Sequence, residues 1–523
     1  MRVHTVAILT LASLAIWESH DAICGTDLGL TQIASSPSPT PQLATHVLAP
    51  MPLEAIAPEG STSTNANDLL PIANYNQLPI AQKNDSFPVP NPQSPVIRDI
   101  EIRFVDRKGE PIEGRTRKDY LLGELRLKPG QVFRQGVLES DLRRLRRSEF
   151  IDKVDVSLVS DSDGVTIIYD IKERRYPSVN YGAGYNNDDI GIYGTVGYRD
   201  ANLGGINQQL GGKLQISRQD AQFDVEFTDP YRASESNRLG YSVRAFRRRN
   251  FSRTFGDEID LLNDDDPREG RFGGSVALLR SFDDWDGSLG LNYTRISIRD
   301  ANWRVSPVDE FGNPLSLSGK GIDDLVTVSF AVSRDRRSSR SYPTQGSILT
   351  FSTEQSIPIG LGNVLINRLR ANYIQYVPID LIGRGKPAQN PELTEMLAFN
   401  LQAGTIFGEF PPAEAFNLGG FNSVRGYGGG GVGSGRSYVL GSVEYRFPIV
   451  WRVGGVVFAD FASDLGSGDT VVGEPGVIRD KPGSGFGYGL GLRVRSPLGL
   501  IRADFGLSDR GEARLEITTG QRF

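Results

Sequence analysis

The chain of 523 residues carries 57 lysines and arginines against 63 aspartates and glutamates, and this acidic balance argues against a nucleic-acid partner. Hydrophobic residues reach only 38%, yet glycine numbers 60, tyrosine 18 and phenylalanine 25, the mixture expected of strands with one face to lipid and the other to water. All three histidines (His4, His20, His46) and the single cysteine, Cys24, fall in the first fifty residues, so Ser-His, Cys-His and zinc chemistry are excluded from the body of the chain. A carboxylate-only enzyme stays open on this inventory but has no positive sign in the sequence, so no enzyme activity, cofactor or metal site is expected.

Residues 1–25 read as a secretory signal: Arg2 supplies the positive start, and Val6 to Ile16 is an apolar run too short to span a bilayer as a helix. Cys24 does not make a lipidation box, because the bulky Ile23 stands where a small residue is wanted. Residues 26–94 are rich in Pro, Ser, Thr, Ala, Asn and Gln, most densely at 36–41 and 87–92, and such a composition buries too little apolar surface to offset ordering entropy. They form a disordered leader that acts as a spacer.

Residues 95–175 have a different texture. A strand is expected over 97–104, helices over 117–124 and 135–147 with Val137, Leu138, Leu142 and Leu145 on one face, and two strands over 153–159 and 165–171 joined by a turn at 161–164. The order is β-α-α-β-β, and about 80 residues suffice for a separate core. The basic run Arg143, Arg144, Arg146, Arg147 reads as a solvated helix face. Residues 139–156 resemble the POTRA (polypeptide-transport-associated) module of outer-membrane assembly factors.

From 176 to 523 every structured segment reads as a strand, about sixteen in all, an even number that suits a transmembrane antiparallel β-barrel. The links after the sixth, twelfth and fourteenth strands (283–286, 448–451 and 496–497) are tight, and those after the fifth, seventh, eleventh and thirteenth are long. This parity places short turns in the periplasm and long loops outside. The last strands show the facing: Phe486, Tyr488, Leu490, Leu492 and Val494 share one side while glycines, Arg493 and Arg495 share the other. Ile501, Ala503 and Phe505 alternate with Arg502 and Asp504. Leu515, Ile517 and Phe523, read as the C-terminal barrel signal, alternate with Arg514, Glu516 and Arg522. The aspartates at 263–266 and 283–286 lack the spacing that wraps a calcium ion and read as solvated loops.

The loop after the eleventh strand holds Val424, Arg425, Gly426 and Tyr427 and then a glycine tract to 435. Gly426, Gly428 and Gly431 fit G-x-G-x-x-G, but no helix follows, so this is no dinucleotide site. So much glycine needs an anchor to be ordered. Glu444 and Asp460 face inward on the next two strands by alternation with Val443, Tyr445, Ala459 and Phe461, and a guanidinium fork from Arg425 is shaped for them.

Val424, Arg425, Gly426 and Tyr427, with Phe416, Leu418, Gly419 and Gly420 before them and Glu444, Tyr445 and Arg446 after, resemble the V-R-G-F/Y loop signature of the BamA-like outer membrane protein 85 superfamily. Phe458 and Asp460 resemble its F-x-D-x-G motif, with Ala462 in place of the glycine. Residues 334–337 and 342–346 look like its barrel segment beside a periplasmic turn, and 227–231 resembles members from cyanobacteria and plastids. The resemblance covers roughly 95–523 and implies an outer-membrane barrel with a periplasmic POTRA domain, in which Arg425 contacts the carboxylates of Glu444 and Asp460. It further implies partners in the outer-membrane bilayer, in unfolded outer-membrane proteins, and in periplasmic chaperones or accessory proteins met through the POTRA domain.

Three function classes follow. One is an assembly or translocation factor that receives strands on the POTRA edge and uses the first-to-last strand seam as a gate. The second is a two-partner secretion pore for one exported protein, and the third is a passive porin-like barrel, against which the POTRA module and the Arg425 loop both count.

Overall fold

The computed structural model describes residues 95–523 except for 163, 187–190, 218–220, 231–237, 257, 283, 339–342, 383–393, 451, 474–478, 497–498 and 520. The signal, the leader, the three histidines and Cys24 therefore lie outside the described residues.

The N-terminal module contains β1 (Ile97–Val105), β2 (Pro111–Ile112), α1 (Lys118–Glu124), α2 (Gln135–Arg147), β3 (Ile151–Asp161) and β4 (Gly164–Glu173). The two-residue β2 is an addition to the expected order; it is too short for any periodicity to announce it. The sheet runs β2-β1-β4-β3, with β4 parallel to β1 and antiparallel to β3. Val165, Ile167, Tyr169 and Ile171 of β4 meet Leu138, Leu142 and Leu145 of α2 in one core, as their period-2 and helical spacings require. Asp141 is fully buried because its carboxylate accepts the backbone N–H groups of Arg126 and Leu127 at 2.9 and 3.0 Å, which satisfies the linker between the helices.

Six strands then follow: β5 (Ser178–Asn186), β6 (Gly191–Leu203), β7 (Gln208–Ser217), β8 (Ala221–Asp229), β9 (Gly240–Phe251) and β10 (Arg268–Phe282). Next come β11 (Trp285–Arg299), β12 (Ile322–Asp335), β13 (Gly346–Ile357), β14 (Leu365–Pro378) and β15 (Met396–Glu409). A short hairpin, β16 (Phe416–Leu418) and β17 (Gly433–Gly435), interrupts the run before β18 (Ser437–Val450), β19 (Val453–Ser463), β20 (Ser484–Ser496), β21 (Gly499–Ser508) and β22 (Ala513–Thr519). Without the hairpin these are the sixteen antiparallel strands of one sheet, which runs in chain order from β5 to β22. Among the described residues no ladder joins β22 to β5. The tight turns are narrower than expected: Trp285 and Asp286 pair with Phe282 and Ser281, and Pro448 to Val450 belong to β18 beside a bulge. Asp286 accepts a hydrogen bond from Ser281 at 2.6 Å, and Asp265 accepts one from Asn263 at 2.6 Å, so both clusters brace turns.

The facing of the outer surface follows the alternation. Val443, Val457, Phe461, Phe486, Tyr488, Leu490, Leu492, Phe505 and Leu515 are exposed, forming an apolar exterior of the kind lipid requires. Two expectations fail. The inner face is not uniformly polar: Leu325, Ile366, Ile406, Leu440 and Ala462 point inward and are buried against the loop between β15 and β18, because that loop fills the lumen and supplies apolar neighbours in place of water. Phe523 also does not lie on the lipid face. β22 stops at Thr519, and Phe523 packs inside against the buried Ile374, Tyr376, Met396 and Ala398; the Arg446 guanidinium lies 5.2 Å from its ring.

The module and the barrel are joined through the end of β6 and the turn that leads to β7. Arg115 grips Asp200 with two hydrogen bonds of 3.1 and 2.5 Å, and Arg199 grips Glu149 with two of 2.8 and 2.5 Å. Asn202 donates to Thr116 at 2.8 Å, Arg117 N–H donates to the Gly205 carbonyl at 2.9 Å, and Ile206 packs on the module's core. Gly205, at φ +74°, brings its backbone so close that a Cβ would lie 2.5 Å from the Arg115 carbonyl.

Candidate functional site: an arginine loop inside the barrel

The loop leaves β15, makes a short 3-10 turn at Pro412–Glu414, and pairs β16 with β17 in the registers Phe416↔Gly435, Asn417↔Ser434 and Leu418↔Gly433. This hairpin gives the glycine tract a backbone partner. Phe410, Phe416, Leu418, Val424, Tyr427 and Val432 are almost completely buried, so the loop carries its own hydrophobic core into the lumen. It is not a flexible tether.

Arg425, at 1% exposure, is among the largest fully buried side chains of the described residues. Its Nε and Nη2 donate to the two carboxylate oxygens of Asp460 at 2.8 and 3.0 Å, and its backbone N–H adds a third bond to Asp460 at 3.2 Å. Nη1 donates to Glu444 at 2.7 Å and to Asp504 at 3.1 Å. The guanidinium carbon lies 3.4 Å from the centroid of the Phe458 ring, a close and desolvated cation–π contact. The structure thus brings Arg425 together with both expected acceptors and adds Asp504 of β21 as a third.

The wall carboxylates are not otherwise unpaired. Glu444 also accepts from Arg446 at 2.8 Å, Asp460 from Arg522 at 2.6 Å, and Asp504 from Arg493. Arg522 also donates to the Ser423 carbonyl, tying the segment after β22 to the loop tip. Alternation had already put Arg502 and Asp504 inward; what sequence reasoning missed was that Asp504, two strands beyond Asp460, curves round to the same point. The same alternation had put Arg493 and Arg522 on the polar face, but no motif marked them as partners of these carboxylates.

Room for the tip comes from glycines on the inner wall. A Cβ at Gly487 would lie 2.0 Å from the Arg425 carbonyl oxygen, and one at Gly506 would lie 2.7 Å from the Gly426 nitrogen. Gly426 itself sits at φ +97°, with a virtual Cβ 2.6 Å from the β21 backbone, so a side chain is excluded by both space and conformation. Tyr427 continues the seat: its hydroxyl donates to Asp509, which also accepts the Phe486 N–H at 3.1 Å. Burial, then the Asp509 carboxylate, push the Tyr427 hydroxyl well above its ordinary pKa. Of the remaining expected residues, Val424 is buried in the loop core, while Leu515 faces outward and Ile517 is half-buried in the same row.

Comparison with known proteins places these features. The Omp85 superfamily domain matches residues 202–523, and a POTRA family described as a surface antigen variable number repeat matches residues 106–174. Outer envelope protein 80, chloroplastic, of Arabidopsis thaliana is 33% identical over 443 residues, covering 82% of this chain and 57% of that protein. Protein TOC75, chloroplastic, of Pisum sativum is 26% identical over 467 residues, covering 82% of this chain and 56% of its own length. The chain therefore spans little more than half the length of these relatives. The solved structure of BamA from Haemophilus ducreyi lacking POTRA domains 1-3 shares the fold, with a TM-score of 0.50 at 20% identity over 81% of this chain and 84% of that one.

Proposed function

Because the chain belongs to the Omp85 superfamily, we propose that it acts at an outer membrane as an assembly or translocation factor, inserting or passing β-barrel proteins with its POTRA domain on the periplasmic side. The observation that carries this reading is the filled lumen. A passive pore needs an open channel, whereas here the segment between β15 and β18 is buried inside the barrel and held at Arg425 by three carboxylates.

The chain offers a place for each step. Strand β3 is a free edge of the POTRA sheet, with Leu158 and Val159 exposed on it, and an extended segment of a substrate can add to such an edge through main-chain hydrogen bonds. The junction of β5 and β22, which lacks a ladder among the described residues, is where a nascent strand would pair. No chemical step is assigned, and no cofactor is proposed.

Depleting the protein in the cells that make it, followed by a census of outer-membrane proteins, tests the reading. General loss of barrel proteins is the expected result. Loss of one secreted protein alone would replace the proposal by dedicated export, and an unchanged census would leave a passive barrel.

A further inference from the structure

The loop is held at a second place, by a charge of the opposite sign. Glu414, at its root, is 9% exposed and bridges two arginines of the inner wall: Arg271 of β10 donates to its Oε1 at 2.5 Å, and Arg368 of β14 donates to its Oε2. Arg271 also donates to the Ala413 carbonyl at 2.5 Å. Three strands separate β10 from β14 in the sheet, so one carboxylate reaches across a chord of the barrel. The neighbouring root is fixed in the same direction, since Thr254 donates to the Pro412 carbonyl at 3.1 Å and Asn417 donates to Thr254 at 3.3 Å. Eleven positions further along the loop, Arg425 meets β18, β19 and β21 instead.

Both anchors dock on wall charges that already have wall partners. Arg271 retains Glu269 at 3.2 Å and Arg368 retains Glu354 at 3.0 Å, as Glu444 retains Arg446 and Asp504 retains Arg493. Withdrawing either loop charge therefore strands no unpaired ion on the wall, the arrangement that makes loss of a buried partner so costly. An attachment that can be withdrawn without that penalty can be released and remade.

We propose that Glu414 is a second positioning residue of the loop: it keeps the root docked on β10 and β14 when the Arg425 tip lets go, so that the loop moves as a strap hinged at one wall. That this motion serves substrate handling rests on the insertion reading; the two-anchor arrangement does not.

Hydrogen–deuterium exchange on the full chain in detergent, read by segment, tests it. Glu414→Gln should speed exchange of amides at 410–418 by about tenfold or more, while 424–427 stay protected within about twofold. Arg425→Ala should show the reverse, and the double variant should lose protection in both. Heat-modifiable migration on a gel verifies that each barrel is folded; if Glu414→Gln does not fold, Glu414→Asp, too short to bridge both arginines, should give the same pattern at smaller amplitude. Unchanged exchange at 410–418, or loss of protection along the whole loop from either single substitution, would overturn the proposal. Insertion assays on the same samples separate the two readings: the exchange pattern decides the anchors, and a pattern as expected in a protein with no insertion activity would count only against the function.

Discussion

At the scale of single residues, Arg425 is held by more than its two expected partners, and this changes what its loss should do. Glu444, Asp460 and Asp504 keep Arg446, Arg522 and Arg493 when the guanidinium is removed. Arg425→Ala should therefore cost about 2–4 kcal/mol of barrel stability, short of the roughly 3–5 kcal/mol expected when a buried ion is left alone, and the barrel should still form. The Arg425 side chain donates two bonds to Asp460 and one to Glu444, so a double-mutant cycle should give the larger coupling for Asp460, within roughly 0.5–3 kcal/mol. Equal coupling, or strict additivity in both cycles, would show that the geometry does not govern the energy. A second residue bears on pH. In the loop beyond β19, burial is the main influence on Asp464 and pushes its carboxyl up to about 7 from 3.8, with the Gly466 N–H and Arg479 pulling it down. A carboxyl raised in the fold binds its proton more tightly there, so its contribution to stability is complete below about pH 4 and is lost as pH rises through about 7. Asp464→Asn should accordingly raise the heat-modification temperature at pH 8 and leave it nearly unchanged at pH 4; a larger gain at pH 4 would contradict this sign. The Arg425, Glu444 and Asp460 cluster was legible because alternation is a local property of a strand. Asp504 and Arg522 were not, because curvature brings them in from positions 79 and 97 residues away along the chain from Arg425.

At the scale of elements, the POTRA module has its own core, yet it is not merely tethered. Arg199, Asp200 and Asn202 of β6 are all buried against it, and these lie one strand from the β5 edge of the sheet. Deleting 95–175 should leave an inserted, heat-modifiable barrel while abolishing substrate handling, but with lowered stability, since Arg199 and Asp200 lose the partners Glu149 and Arg115. Asp200→Ala, which leaves Arg115 half-exposed to water, should loosen the module alone, seen as faster proteolysis at 174–178 with the barrel intact; full complementation of a depleted strain by the deletion would contradict a role for the module in handling. The sequence made each POTRA helix and long strand readable from period, whereas the docking surface was not readable: Glu149 and Arg199 are 50 positions apart and belong to different units. The loop was likewise read only at its tip. Glu414 follows two prolines in a stretch without periodicity, and nothing local marks it as a bridge.

For the whole molecule, the strand count and the loop parity were both accessible because a barrel is built from local repeats, each hairpin alternating faces in the same way. The loop's tip could be placed in the lumen from the sequence, but its apolar core was hidden, since the polar-in pattern of a water-filled barrel is modified wherever that core touches the wall, as at Leu325, Ile366 and Ile406. Phe523 was placed on lipid by the same reasoning and lies inside, because the chain leaves the ladder after Thr519 and the alternation ceases to apply. The loop held in the lumen is proposed to belong to an active insertion device. The most direct measurement of this is the rate at which an unfolded outer-membrane β-barrel protein acquires heat-modifiable, protease-resistant form in liposomes containing the purified full chain. The chain should accelerate folding at least about tenfold over empty liposomes, and Arg425→Ala, correctly folded and inserted, should lose most of that acceleration. Equal rates in empty and protein-containing liposomes, or an undiminished rate for Arg425→Ala, would contradict it.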